Sequence, residues 1–102
     1  MTTSRIAIAG LFFAVSAWAQ KDAKDIYLDK CSVCHGADGA GKTAKGRKLK
    51  VRDVHETTAK MSAPEMMKIV ENGKGSDMDA YGKELSQDQI KAVVDYYRSL
   101  GK

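Results

Sequence analysis

Cys31-Ser32-Val33-Cys34-His35 sets two thiols three residues apart on one helical face and puts an imidazole directly behind the second. Covalent haem attachment requires this spacing: the thiols add to two vinyl groups and the adjoining imidazole binds the iron. Two other chemistries use paired cysteines. A thioredoxin-like dithiol needs a βαβ context, and no run in this chain alternates well enough to read as a sheet. A zinc site needs a fourth ligand, and His55 is the one remaining histidine, with no second cysteine pair to help it. The motif therefore points to a single haem c, attached through Cys31 and Cys34, with His35 on the iron.

Upstream of the motif the chain reads as an export signal. Arg5 follows the start, residues 6–15 are apolar apart from Gly10, and Ala17-Trp18-Ala19 gives the small-x-small cleavage pattern before Gln20. The apolar stretch from Ile6 to Ala19 is short of the roughly 20 residues needed to span a bilayer, so cleavage is expected in place of anchoring. This gives a signal peptide over 1–19, a domain over 20–102 and a periplasmic location. Such a domain is too small to build a generous core unaided. Two cysteines could close at most one disulfide, and a cofactor is the alternative supplement.

Beyond Gln20 there is no repeat, low-complexity block or linker, and three segments have the periodicity and caps of helices. The first runs from about Asp22, a plausible N-cap, to Cys34, with Ala23, Ile26, Tyr27, Cys31 and Cys34 on one face. The second opens on the capping box Ser62-Ala63-Pro64-Glu65, with Met61 and Met66 as its staple, and stops near Asn72-Gly73. The third opens on Ser86-Gln87-Asp88-Gln89, with Leu85 and Ile90 as staple, and Gly101 reads as its stop. Between the first two, residues 36–60 carry Gly36, Gly39, Gly41 and Gly46 and read as loop. The result is an all-α domain with three main helices and long loops. Loops of that length suit a chain that wraps a large apolar disc.

The second iron ligand separates an electron carrier from a site open to gas or peroxide. Met1 leaves with the signal peptide, while Met61, Met66 and Met67 are accounted for by capping and by the apolar face of the second helix. Met78 lies in the Gly-rich stretch 72–82, between two capped helices, where it has no helical stripe to join. It is the candidate ligand. His55 is the competing one, although Asp53 and Glu56 beside it suggest an exposed polar turn.

These features together resemble a class I cytochrome c of the short bacterial type. The resemblance covers nearly all of the mature region. It rests on Tyr27 four residues before the first haem cysteine, Cys31 to Gly36 followed by Ala37-Asp38-Gly39, and Gly73-Lys74-Gly75 ahead of Met78, Tyr81 and Gly82. The closing helix, with Tyr96 and Leu100, completes it. The resemblance implies a small cytochrome c fold in which the first and last helices cross with Tyr96 at the crossing, and it implies iron ligation by His35 and Met78. Where relatives commonly follow the ligand with proline, this chain has Asp79, and Asp77 precedes it. The flanking carboxylates are expected to favour ferric iron.

The function expected is single-electron transfer, with no catalytic acid or base and hence no enzyme. A haem enzyme or gas or peroxide sensor with a labile Met78 is the alternative. Without Arg5, 16 basic face 13 acidic side chains, and six of the cations, Lys42, Lys45, Arg47, Lys48, Lys50 and Arg52, fall within eleven residues. That local patch can steer encounter with an acidic redox partner, or it can be a solvated loop that keeps the protein soluble. Nucleic-acid binding is excluded by the export signal and by the lack of aromatic interleaving in the patch. A monomer is expected.

Overall fold

A computed structural model describes residues 23–102; the signal segment 1–19 and the N-cap assigned to Asp22 lie outside them. Helix α1 covers 23–35 and is not a uniform α-helix. Its middle, Tyr27–Cys31, is a π-helical turn in which the Ser32 amide bonds the Tyr27 carbonyl, and Ser32–His35 form its last turn. On a straight α-helix Tyr27, Cys31 and Cys34 would share a face. The inserted residue rotates the downstream part of the helix by roughly 100°. Tyr27 turns into the core, 2% exposed, and its hydroxyl donates to the Gly36 carbonyl at 2.6 Å.

Two capping boxes start the long helices where the sequence places them. In α4, Ala63–Asn72, the Glu65 amide bonds Ser62 Oγ at 3.3 Å and the Ser62 amide bonds Glu65 Oε1 at 3.0 Å. In α5, Gln87–Ser99, Ser86 and Gln89 exchange the same bonds at 3.1 and 2.9 Å. Both staples reach the core, Met66 and Leu85 buried and Ile90 fully so. The expected stop at Gly101 is not left-handed: α5 ends through Leu100 in right-handed helical geometry.

The stretch 36–60 departs from the loop expected of it, because it contains two short helices, α2 (Ala44–Lys48) and α3 (Val54–Lys60). Side-chain caps nucleate them. Thr43 accepts from the Gly46 amide at 2.9 Å and Asp53 from the His55 amide at 2.8 Å. Gly46 reads as a helix breaker but sits inside α2 for a packing reason: a Cβ there would overlap the Cys34 carbonyl oxygen. Val54 is fully buried and anchors α3.

One apolar cluster joins α1, α4 and α5 through Tyr27, Met66, Val70, Leu85, Ile90, Val93 and Val94. Tyr27 meets the Tyr96 ring at 5.3 Å between centroids and the Tyr97 ring at 6.1 Å, which seats the first helix against the last. No strand occurs among the described residues; Lys74 and Met78 form one isolated antiparallel bridge.

Candidate functional site

The end of α1, the segment 49–52, helices α3 and α4, and the loop 74–78 surround a cleft of about 300 Å³. Leu49, Val51, Met61, Met66, Ile69 and Tyr97 give it apolar walls. Into the same cleft the fold brings Cys34, His35 and Met78, residues up to 44 positions apart in sequence. Cys31 is not in the lining. It is half-buried and packs against the core at the end of the π-turn. Burial pushes its thiol up to about 11, with Lys30 opposing, so it is protonated at neutral pH.

Burial lowers the pKa of His35, leaving a neutral imidazole whose lone pair is free to bind a metal. Its Nδ1 is buried with no hydrogen-bond partner among the described residues. The backbone carbonyl that commonly orients such a ring is therefore not engaged here, and the ring is held by edge contact with Tyr97, 5.3 Å between centroids. An orphaned polar atom costs about 1–3 kcal/mol. A neutral imidazole, a thioether and apolar walls fit an iron macrocycle. Cationic Lys50, Arg52, Lys60 and Lys74 on the same lining fit the carboxylates that a haem carries.

The loop that presents Met78 is tied at both ends. The Lys74 amide donates to the Met78 carbonyl at 2.9 Å, and the Met78 amide donates back to Lys74 at 3.3 Å. Behind it, the Tyr81 amide bonds the Val70 carbonyl at 2.8 Å and the Tyr81 hydroxyl bonds the Lys30 carbonyl at 3.4 Å. These bonds stiffen a loop that lacks the proline expected after Met78. Gly73 makes the turn possible: its φ is +77° and a Cβ would stand 2.8 Å from the Met78 carbonyl oxygen. Gly73→Ala is expected to destabilise the fold by about 1–3 kcal/mol. Thermal melts should then show Tm lower by at least about 4 °C; an unchanged Tm would show that the turn adapts.

His55 lies away from the cleft. It is exposed on the first turn of α3, with Nδ1 2.6 Å from Asp53 Oδ1, so it does not compete with Met78 for the same space. The basic segment is divided. Lys50 and Arg52 line the cleft, whereas Lys42, Lys45, Arg47 and Lys48 project from α2 and its approach. Sequence reasoning missed Thr43, whose hydroxyl lies 2.7 Å from the Val33 carbonyl and 3.3 Å from that of Cys34 and so tethers α2 to the end of α1. A Thr three residues before a buried Gly was the available signal.

Comparison with known proteins agrees with this architecture. Residues 19–96 match the family described as cytochrome c oxidase, cbb3-type, subunit III. The chain is similar to the cbb3-type cytochrome c oxidase subunit FixP of Azorhizobium caulinodans, 30% identical over 83 residues. That match takes in 81% of this chain but only 28% of FixP. It is also 36% identical over 73 residues to cytochrome c6 of Euglena gracilis, covering 71% of this chain and 82% of that one. Among solved structures, the c-type cytochrome KustC0563 superposes with a TM-score of 0.72 at 29% identity, over 78% of this chain and 98% of the other. The chain belongs to this family of haem domains and is a class I cytochrome c, an all-α electron-transfer protein with one covalently attached haem c.

Proposed function

We propose that the protein is an exported, monomeric electron shuttle of the periplasm, released from its signal peptide at residue 19, and not an enzyme. Cys31 and Cys34 would attach its haem through thioether bonds, and His35 and Met78 would ligate the haem iron. The observation that carries this reading is the meeting of Cys34, His35 and Met78 in one apolar cleft. When bound, haem c supplies one-electron exchange between Fe(III) and Fe(II).

The chain's own residues fix how that exchange proceeds. His35 enters ligation already neutral, so no proton has to leave it. Met78 raises the reduction potential relative to most other ligands and closes the iron to exogenous molecules. Leu49, Val51, Met61 and Ile69 exclude water, and Lys50, Arg52, Lys60 and Lys74 offset the negative charge of the haem carboxylates. No helix among the described residues is long and apolar enough to cross a membrane. Those partners are redox proteins with acidic surfaces, recognised by the basic segment 42–52.

The test is carbon monoxide. The mature chain, matured with a haem-attachment system and reduced, is expected to keep its spectrum after mixing with carbon monoxide at neutral pH. Prompt binding would overturn the closed carrier and favour a gas- or peroxide-reactive site with a labile Met78.

A further inference from the structure

His35 enters the cleft without the bond that usually fixes a ligand imidazole, because its Nδ1 is buried and meets no hydrogen-bond partner among the described residues. The orientation of the ring then has to come from packing. That packing is aromatic and comes from the last helix: Tyr97 of α5 meets the His35 ring edge-on, 5.3 Å between centroids and at 67° between planes. An edge contact fixes the tilt of a flat ring only if the neighbour is itself held.

Tyr97 is held at its ring and at its hydroxyl. The ring packs on Tyr27, 6.1 Å between centroids, and Tyr27 is pinned in turn by donating to the carbonyl of Gly36, the residue after His35, at 2.6 Å. The Tyr97 hydroxyl lies 3.3 Å from Thr57 Oγ1 on α3. Thr57 donates its own proton to the Asp53 carbonyl, 3.2 Å away, so within the pair Tyr97 donates and Thr57 accepts. Both residues line the cleft. One side chain of α5 therefore ties α3 to the end of α1 at the imidazole.

We propose that Tyr97, anchored through its hydroxyl to Thr57, is the positioning residue that sets the plane of the His35 ring. This rests on the reading of His35 as the iron ligand. The plane of a ligand imidazole decides which iron orbital its π system meets. A ring held in one plane spreads unpaired spin unevenly over the haem methyl groups of the ferric protein, and a ring free to swing evens it out.

Proton NMR of the ferric holoprotein reads that spread, and voltammetry reads the potential. Tyr97→Phe keeps the ring edge and loses the anchor; the haem methyl resonances are expected to draw together and the potential to shift, with His35 still on the iron. Thr57→Val should do the same. The double variant should go no further than either single, because both remove one shared bond. Thr57→Ser, which keeps the hydroxyl, should restore the parent pattern. Ser86→Ala removes the N-cap of the same helix, and it should lower Tm while leaving the methyl spread unchanged.

A Tyr97→Phe or Thr57→Val protein with the parent's methyl spread and potential would overturn the proposal. So would additive changes in the double variant, or a contraction in Ser86→Ala equal to that in Tyr97→Phe, which would reduce the effect to stability of the helix. A parent in which no His35 ring proton is shifted by the iron would fail the underlying reading. Iron-shifted ring protons with unresponsive variants would fail this inference alone.

Discussion

Cys31→Ser combined with Cys34→Ser is expected to yield a chain without covalent haem and without a cooperative unfolding transition. The reason lies in how little apolar material the polypeptide buries by itself. Nine apolar side chains are buried among the described residues, from Ala23 to Val94, and one flank of that core opens on the cleft. Leu49, Met61 and Ile69 line the cleft without being fully buried, so each keeps apolar surface that only a cofactor in the cleft would cover. A domain of this size has few kcal/mol to spare. Binding free energy therefore appears as folding free energy. Far-UV circular dichroism through a thermal melt reads the outcome, and a sharp transition in the doubly substituted chain would mean that the polypeptide core suffices.

The second large effect is expected at Met78. Met78→Ala should abolish the sulfur-to-iron charge-transfer absorption of the ferric protein and lower its potential on the order of 0.1 V, within the roughly 0.8 V that axial ligands command. The variant should also bind carbon monoxide readily once reduced. Met78 is half-buried in a loop whose backbone is fixed by the paired bonds with Lys74, so truncating the side chain removes the thioether without dismantling its support. An unchanged spectrum would eliminate Met78 as ligand. The flanking carboxylates should matter less than their sequence position suggests. Asp77 and Asp79 are both exposed, where water screens them, and Lys74 shares the cleft lining with Asp77.

Local chemistry is legible wherever a few neighbouring residues decide the outcome. Ser62 with Glu65 and Ser86 with Gln89 start their helices because each box satisfies its own amides, whatever lies elsewhere. Gly73 stops α4 at positive φ for an equally local reason. The segment 36–60 escapes such reasoning because a tertiary contact overrides propensity: Gly46 belongs to a helix because Cys34 lies too close for any side chain. The same limit applies to the candidate site. Cys34, His35 and Met78 can be named one by one, but the separation of Lys50 and Arg52 from Lys42 and Lys45 depends on which way a five-residue helix faces. Nothing in the spacing of those six cations encodes that direction.

The π-turn in α1 sets the tolerance of this protein to changes in length. At its first residue, Tyr27 is committed to Tyr96 and Tyr97; downstream, Cys34 and His35 are committed to the cleft. The two commitments point in different directions, and the turn behaves like a gear with one extra tooth that keeps both meshed. Losing a single residue between 27 and 31 would restore a regular helix and force a choice between them. The helix that looks most like a rigid rod is thus the one whose residue count has no slack, whereas the exposed tip at 75–77 can change length at lower cost.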